Sequence, residues 1–467
     1  MGAAPGLASA RAPLVRELAA SPQVLGELAA RYPERYPLLL DSAASGPLSA
    51  ASVLLAYPRA ALWLTADGVL RSRGMEPEGS GFLDTLDAWW RKERIAPTPQ
   101  SAALPFCGGW ALYLGYELAQ EVEPHLRLPR TPLPWIALAL RTPCALVHDL
   151  RSNRVLAVAE SDAAAGLDAI ERDLRQLAAE PVLADHLTIR AVEEEDPGRY
   201  LARVAQAKEY VRAGDIYQAN LSRPWDVTIG TAPGASAAAA LYARLRAANP
   251  APFAALAQWD GVAIVSSSPE RLVRVSGRNV DTRPIAGTRP RRGGARDDLI
   301  EMSELAAHPK ERAEHIMLID LERNDLGRVC EPGSVRVDEL MTIESYTHVH
   351  HIVSNVSGVL RPEVTPIGAL RAVFPGGTIT GVPKFRCMQI IAELEGSGRG
   401  AYTGSLGYLT LDGRLDLNIL IRTMTLQGGH VQFHAGAGIV ADSDPARELE
   451  ETRAKARGLL AALGAAP

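Results

Sequence analysis

The chain has 467 residues, 47% of them hydrophobic and 22% charged, and a net charge of −5. That length can bury a large core, as two lobes or as one intertwined domain, and the absence of a basic stripe excludes the electrostatic footprint of a nucleic-acid binder. No run of 18 apolar residues reads as a membrane span, and residues 1–15 lack a secretory apolar core, their Ala and Arg content matching at most a transit peptide.

Residues 14–190 form a first region. LLLDSA (38–43) reads as a short buried strand ending in a turn. LPFCGGWALYLGYELA (104–119), punctuated by glycine, reads as strand and turn joined to a helix. WIALALRTPCALVHDL and RVLAVAES read as neighbouring strands of one hairpin. Residues 160–190 have helical spacing, and the acidic run with Pro and Gly at 193–198 predicts a turn before a long helix carrying KEYVRAGD. Cys107, Cys144, Cys330 and Cys387 show no paired or metal-ligand spacing, which suits a reducing, cytoplasmic setting.

Residues 191–463 carry the chemistry. HPKERAEHIMLIDLERNDLGRV (308–329) sets Glu311 and Glu314 three positions apart on a predicted helix, hence on one face. PARELEETRAK repeats the spacing with Glu448 and Glu451, and Lys455 follows on the same face. Carboxylate pairs without a histidine or thiolate cluster suit Mg²⁺, which takes a few carboxylates and leaves its other positions to water and an anionic substrate; a solvated helix face would also read this way. FPGGTITGVPK (374–384) is too rich in Gly and Pro for a regular element and predicts a shaped loop. HAGAGIV (434–440) reads as a second small-residue loop, in which Gly436 and Gly438 would let the backbone approach a ligand. Arg422, inside the apolar, strand-like LNILIRTM, needs an anionic partner, either a protein carboxylate or a substrate's.

These strings, with GDIYQANLSR, SSSPERL, DTRPIAGTRPR, HHIVSNV, AYTGSLGYL, AGAGIVADS and ELEETRAK, resemble the chorismate-utilising enzymes in composition and in order, from about Tyr200 to Leu463. The resemblance implies an α+β fold of two packed antiparallel sheets flanked by helices, with the ligand between them. It implies that Glu314 and Glu448 hold Mg²⁺, with Glu311 and Glu451 in the outer shell. Tyr402, Arg422, Gly436, Gly438 and Lys455 match positions that grip substrate carboxylates, and Thr378 lies in the matching loop. Glu270 resembles the general acid beside the departing C4 hydroxyl, and His351 the histidine near the ring. LLLDSA resembles a segment that helps bind tryptophan, which makes Leu40, Asp41 and Ser42 candidates for that role.

Two positions sort the family. Gln218 stands where the water-using members carry a lysine, and an amide cannot be that base, so the nucleophile expected is ammonia. Ala286, in PIAGT with Thr288, stands where many C4-aminating members carry a covalent lysine and matches the C2-aminating anthranilate synthases instead. YQANLSR, IDLERNDLGRV, FPGGTITG, YTGSLGY and DLNILIRT resemble the C4-aminating aminodeoxychorismate synthases, which is the reading preferred here. No cysteine sits in a nucleophile elbow, so the resemblance also implies a separate glutamine amidotransferase subunit as heterodimer partner.

Overall fold

The computed structural model describes residues 11–44, 46, 48, 50–180, 185–230, 234–291, 294–346 and 349–465. Its strands form two sheets in which every pairing between strands is antiparallel, one of twelve and one of eleven among the described residues. Both sheets run through both sequence regions. In the first, Leu38–Asp41 pairs with Phe253–Trp259, joining the N-terminal strands to Val262–Ser268, Thr423–Gln427, His430–Ile439, Gln218–Ile229 and Ile189–Glu194. In the second, Gly109–Leu114 pairs with Ser405–Thr410 and makes the same join.

Period-2 alternation explains how the sheets pack. Val53 and Leu55 meet Ala111, Tyr113, Leu138 and Leu140 in a core between the sheets. Their neighbours Leu54 and Ala56 face outward to the helices Val24–Arg31 and Ala235–Ala248, and Trp110 and Leu112 face outward to Phe82–Glu93. Strands covered on both faces need apolar residues at every position, which accounts for unbroken runs such as SVLLA and WALYL.

Four expectations are corrected. WIALALRTPCALVHDL is two strands rather than one: Trp135–Thr142 belongs to the second sheet, and Cys144–Asp149 crosses to the first, where it forms the hairpin with Arg154–Ala159. Pro143, between them, cannot donate to a ladder, so the chain leaves one sheet there and enters the other. HAGAGIV is no loop: His430–Ile439 is one continuous strand, held along its length by Gln218–Ile229, and its small residues allow side chains to pass close rather than forming a turn. Arg422 lies in no strand but in the break between Leu415–Asn418 and Thr423–Gln427, at φ 52°. The acidic run at 193 is also partly strand, Ile189–Glu194, and Asp196 then caps helix Pro197–Arg212 by accepting from Gly198 N.

Candidate active site

The 374–384 segment, where helix Gly377–Ile379 is a single 3₁₀ turn, lays its threonine against the end of a strand. Thr378 Oγ1 donates to Glu270 Oε1 at 2.9 Å, and Glu270 sits in the turn between Val262–Ser268 and Arg271–Ser276. Burial pushes the Glu270 carboxyl up to about 7, against the opposing pull of Thr378, the Ile285 backbone and the positive charges of Arg422 and Lys455. Arg422 makes no ion pair among the described residues; burial lowers its pKa, and Glu270 is the carboxylate whose charge opposes that. His351, on Val349–Val359, is held down to about 3 by burial and by the charge of Arg422, so its imidazole is neutral. Glu270, Arg422, His351 and Thr378 are thus one cluster.

A second group adjoins it. Helix Pro309–Gly327 brings Glu314 to Gln218, whose Nε2 donates to Glu314 Oε1 at 3.3 Å. Gly438 lies against both, since a Cβ there would run into Gln218 Nε2 and stand 3.5 Å from Glu314 Oε1. Gly436 leaves room for Tyr402, whose hydroxyl is 2.6 Å from where its Cβ would be. Lys455 Nζ donates to Gly436 O at 3.0 Å and pairs with Glu451 at 2.8 Å, and it feels the charge of Glu314. Glu448 is buried in the first turn of helix Pro445–Ala462, and Glu311 pairs with Arg289 at 2.7 Å. Among the described residues no three His, Cys, Asp or Glu side chains gather to hold a metal. The donors at hand are carboxylate oxygens, which fit Mg²⁺ provided that water and an anionic substrate complete its shell.

Ala286 is buried on Ile285–Pro290, opposite Ile352. Thr288 is paired with His351 in register, and its side chain lies outside the described residues. Leu40, Asp41 and Ser42 belong elsewhere. The Asp41 carboxylate accepts from Ser52 Oγ at 2.9 Å, Tyr242 OH at 2.7 Å and Arg246 Nε at 2.6 Å, and Ser42 Oγ donates to Ala51 O at 2.9 Å. These bonds tie the segment to its own sheet and to helix Ala235–Ala248.

Two features escape sequence reading. Glu322 is buried beside Gly377, its Oε1 3.4 Å from where a Cβ would be, and its carboxyl is raised by burial and by the charge of Asp325. Arg399 and Glu395 form a buried fork behind Tyr402. The spacing of four between them could signal an ion pair, but the helix ends at Glu395 with Gly396 at φ 64°, so no helical rule places it.

The chorismate binding enzyme family matches residues 64–461. The chain belongs to that family. It is therefore an enzyme acting on chorismate, close to anthranilate synthase component I. The anthranilate synthase component 1 of Streptomyces coelicolor is 42% identical over 83% of this chain and 78% of its own length. The aminodeoxychorismate synthase component 1 of Klebsiella aerogenes is 37% identical over 87% of this chain and 89% of its own. The crystal structure of anthranilate synthase component I from Streptococcus pneumoniae has a TM-score of 0.76 at 30% identity, with 89% of this chain and 93% of that one covered. The fold agrees with the two-sheet architecture expected of the family.

Proposed function

We propose that this chain is aminodeoxychorismate synthase component I, which aminates chorismate at C4 with ammonia from a separate glutamine amidotransferase subunit and requires Mg²⁺. Glu270, still protonated near neutral pH, donates a proton to the departing C4 hydroxyl, and Thr378 holds the carboxyl that gives it. Arg422, with no ion-paired carboxylate among the described residues, takes a substrate carboxylate in a planar two-bond contact, and Tyr402 and Lys455 frame another. Glu314 and Glu448 would hold Mg²⁺, which when bound supplies a Lewis acid and a template for the ring carboxylate. Gln218, its amide fixed by Glu314, activates no water, so the nucleophile is ammonia, which brings its own lone pair.

The observation that carries C4 over C2 is that the strings resembling the C4-aminating enzymes touch one another around the acid. Asn418 Oδ1 accepts from Leu406 N at 2.9 Å, and Ser405 Oγ donates to Asn418 O at 2.5 Å, joining LNILIRT to YTGSLGY. Gly376 in turn faces Ile419, whose Cδ1 is 2.9 Å from where a Cβ would be, so the alanine of the FPAGTLSG form would make the end of the Ile419 side chain shift. Ile419 N donates to Glu270 O at 3.0 Å. Ala286 favours a second reading, anthranilate synthase component I, which aminates C2 and releases pyruvate.

Purified protein given chorismate, Mg²⁺ and ammonium at raised pH should yield 4-amino-4-deoxychorismate with its enolpyruvyl group retained. Fluorescent anthranilate with stoichiometric pyruvate would install the second reading. Exhaustive chelation should abolish turnover, and full activity after it would remove Mg²⁺ from the proposal.

A further inference from the structure

Arg399 touches neither Glu270 nor Glu314, yet its guanidinium binds four separate segments of the site. Nε and Nη2 donate to the two oxygens of Glu395 at 2.9 and 2.7 Å. Nη2 also donates to Asn220 O at 2.7 Å. Nη1 donates to Ile379 O at 3.2 Å and to Thr403 Oγ1 at 3.3 Å. The five N–H groups of a guanidinium thus meet five contacts in one plane. The rings of Tyr402 and Tyr116 lie 5.3 and 4.9 Å from its carbon, and the side chain is 1% exposed.

Three of the four partners, Asn220, Ile379 and Thr403, are near chain neighbours of a site residue. Asn220 is two positions from Gln218, Ile379 follows Thr378, and Thr403 follows Tyr402. Glu395 carries the constraint further by accepting from Ser222 N at 2.7 Å and Ser222 Oγ at 2.9 Å, on the strand that holds Gln218. The backbone N–H groups of Arg399 and Gly400 donate to Glu117 Oε1 at 2.7 and 3.0 Å, which anchors the hub to the segment after Gly109–Leu114. Donors fixed at set angles in a rigid plane constrain geometry as well as charge, and an ammonium on a flexible stem cannot reproduce them.

We propose that Arg399 is the positioning residue of this active site: its planar fork fixes the relative placement of the segments that carry Gln218, Thr378 and Tyr402. The inference rests on the assignment of those residues to the site. Displacing a reacting group by about 1 Å costs on the order of a hundredfold in rate, so Arg399 matters through kcat while remaining remote from the substrate.

Arg399→Lys keeps the charge and removes the fork. At saturating chorismate its kcat should fall on the order of a hundredfold, with KM changed by less than about threefold, while circular dichroism shows a native fold. Arg141 supplies the comparison, being as deeply buried, with Nη2 on Glu160 at 2.9 Å and Nε on Glu93 at 2.6 Å, but bound to no segment of the site. Arg141→Lys should lower the melting temperature and leave kcat within about twofold, because its fork holds only structure. If Arg399→Lys does not fold, Glu395→Gln reads the same fork from the other side and should lower kcat by on the order of tenfold. Wild-type kcat in a folded Arg399→Lys or Glu395→Gln, or an equal kcat loss in Arg141→Lys, overturns the proposal. Wild-type turnover in Glu270→Gln overturns the site assignment instead, and separates that failure from this one.

Discussion

Glu270 shows how burial turns a common side chain into an acid. Its carboxyl, ordinarily ionised at 4.5, stays protonated to about 7 because ionisation inside the protein forfeits hydration that Thr378 and two cations only partly replace. Glu270→Gln keeps the shape and the hydrogen bond from Thr378 but has no proton to give, so kcat should fall by about 10²–10⁴-fold with KM for chorismate little changed. If Glu270 is the proton donor proposed above, the wild-type kcat should also decline with unit slope as pH rises through about 7, since the protonated form would be the active one. A rate that climbs through that region in saturating ammonia would assign the proton to another group. His351 cannot take over the role, because burial holds its imidazole neutral down to about 3.

The strand His430–Ile439 shows what an element adds. Read alone, AGAGIV resembles a loop, because glycine weakens strands and marks turns. Its partner Gln218–Ile229 supplies a register that the local sequence does not contain, with Gly438 opposite Asn220 and Gly436 opposite Ser222. The glycines serve close approach: Gln218 and Tyr402 occupy the space their side chains would fill. Gly438→Ala should therefore push Gln218 away from Glu314, lower kcat/KM by roughly tenfold or more and cost about 1–3 kcal/mol of stability from overpacking. The double variant Gly438→Ala/Gln218→Ala should recover the stability but not the activity; strictly additive losses in a denaturation cycle would show that the two groups do not collide. The same distinction explains what the sequence revealed. Glu270, Arg422, His351 and Thr378 were legible because each sits in a distinctive string, and the structure gathers them in one place. The crossing of chain between sheets at Pro143 was not, because WIALALRT and CALVHDL are equally apolar and alternation cannot say which sheet a strand joins. Arg399 was not legible either, since its partners are scattered over residues 220–403 and carry no common spacing.

At the scale of the whole molecule, buried titratable groups set how stability follows pH. Glu117 and Glu270 are each raised by burial to about 7, and Glu322 is raised by burial as well. Their folded forms hold protons that the unfolded chain has lost above its ordinary 4.5, so their contribution is fully present below that value and is lost as pH rises through about 7. His315, His351 and His434 are pushed by burial the other way, to about 4, 3 and 4. The unfolded chain protonates them near 6.5 while the folded protein does not, so their contribution is present above 6.5 and is lost as pH falls toward 4. Between about 4.5 and 6.5 the two slopes oppose each other; above 6.5 the histidines have finished titrating in both states and only the carboxyls act. From these groups stability should therefore be nearly flat between about pH 4.5 and 6.5 and decline toward pH 8. Glu117→Gln isolates one contribution away from Glu270: its amide oxygen can still accept from Arg399 N and Gly400 N, but it no longer titrates. In urea denaturation the variant should lose less stability than wild type between pH 6.5 and 8, with the two converging in slope below pH 4.5. Identical slopes above pH 6.5 in the two proteins would show that Glu117 is already ionised in the folded protein.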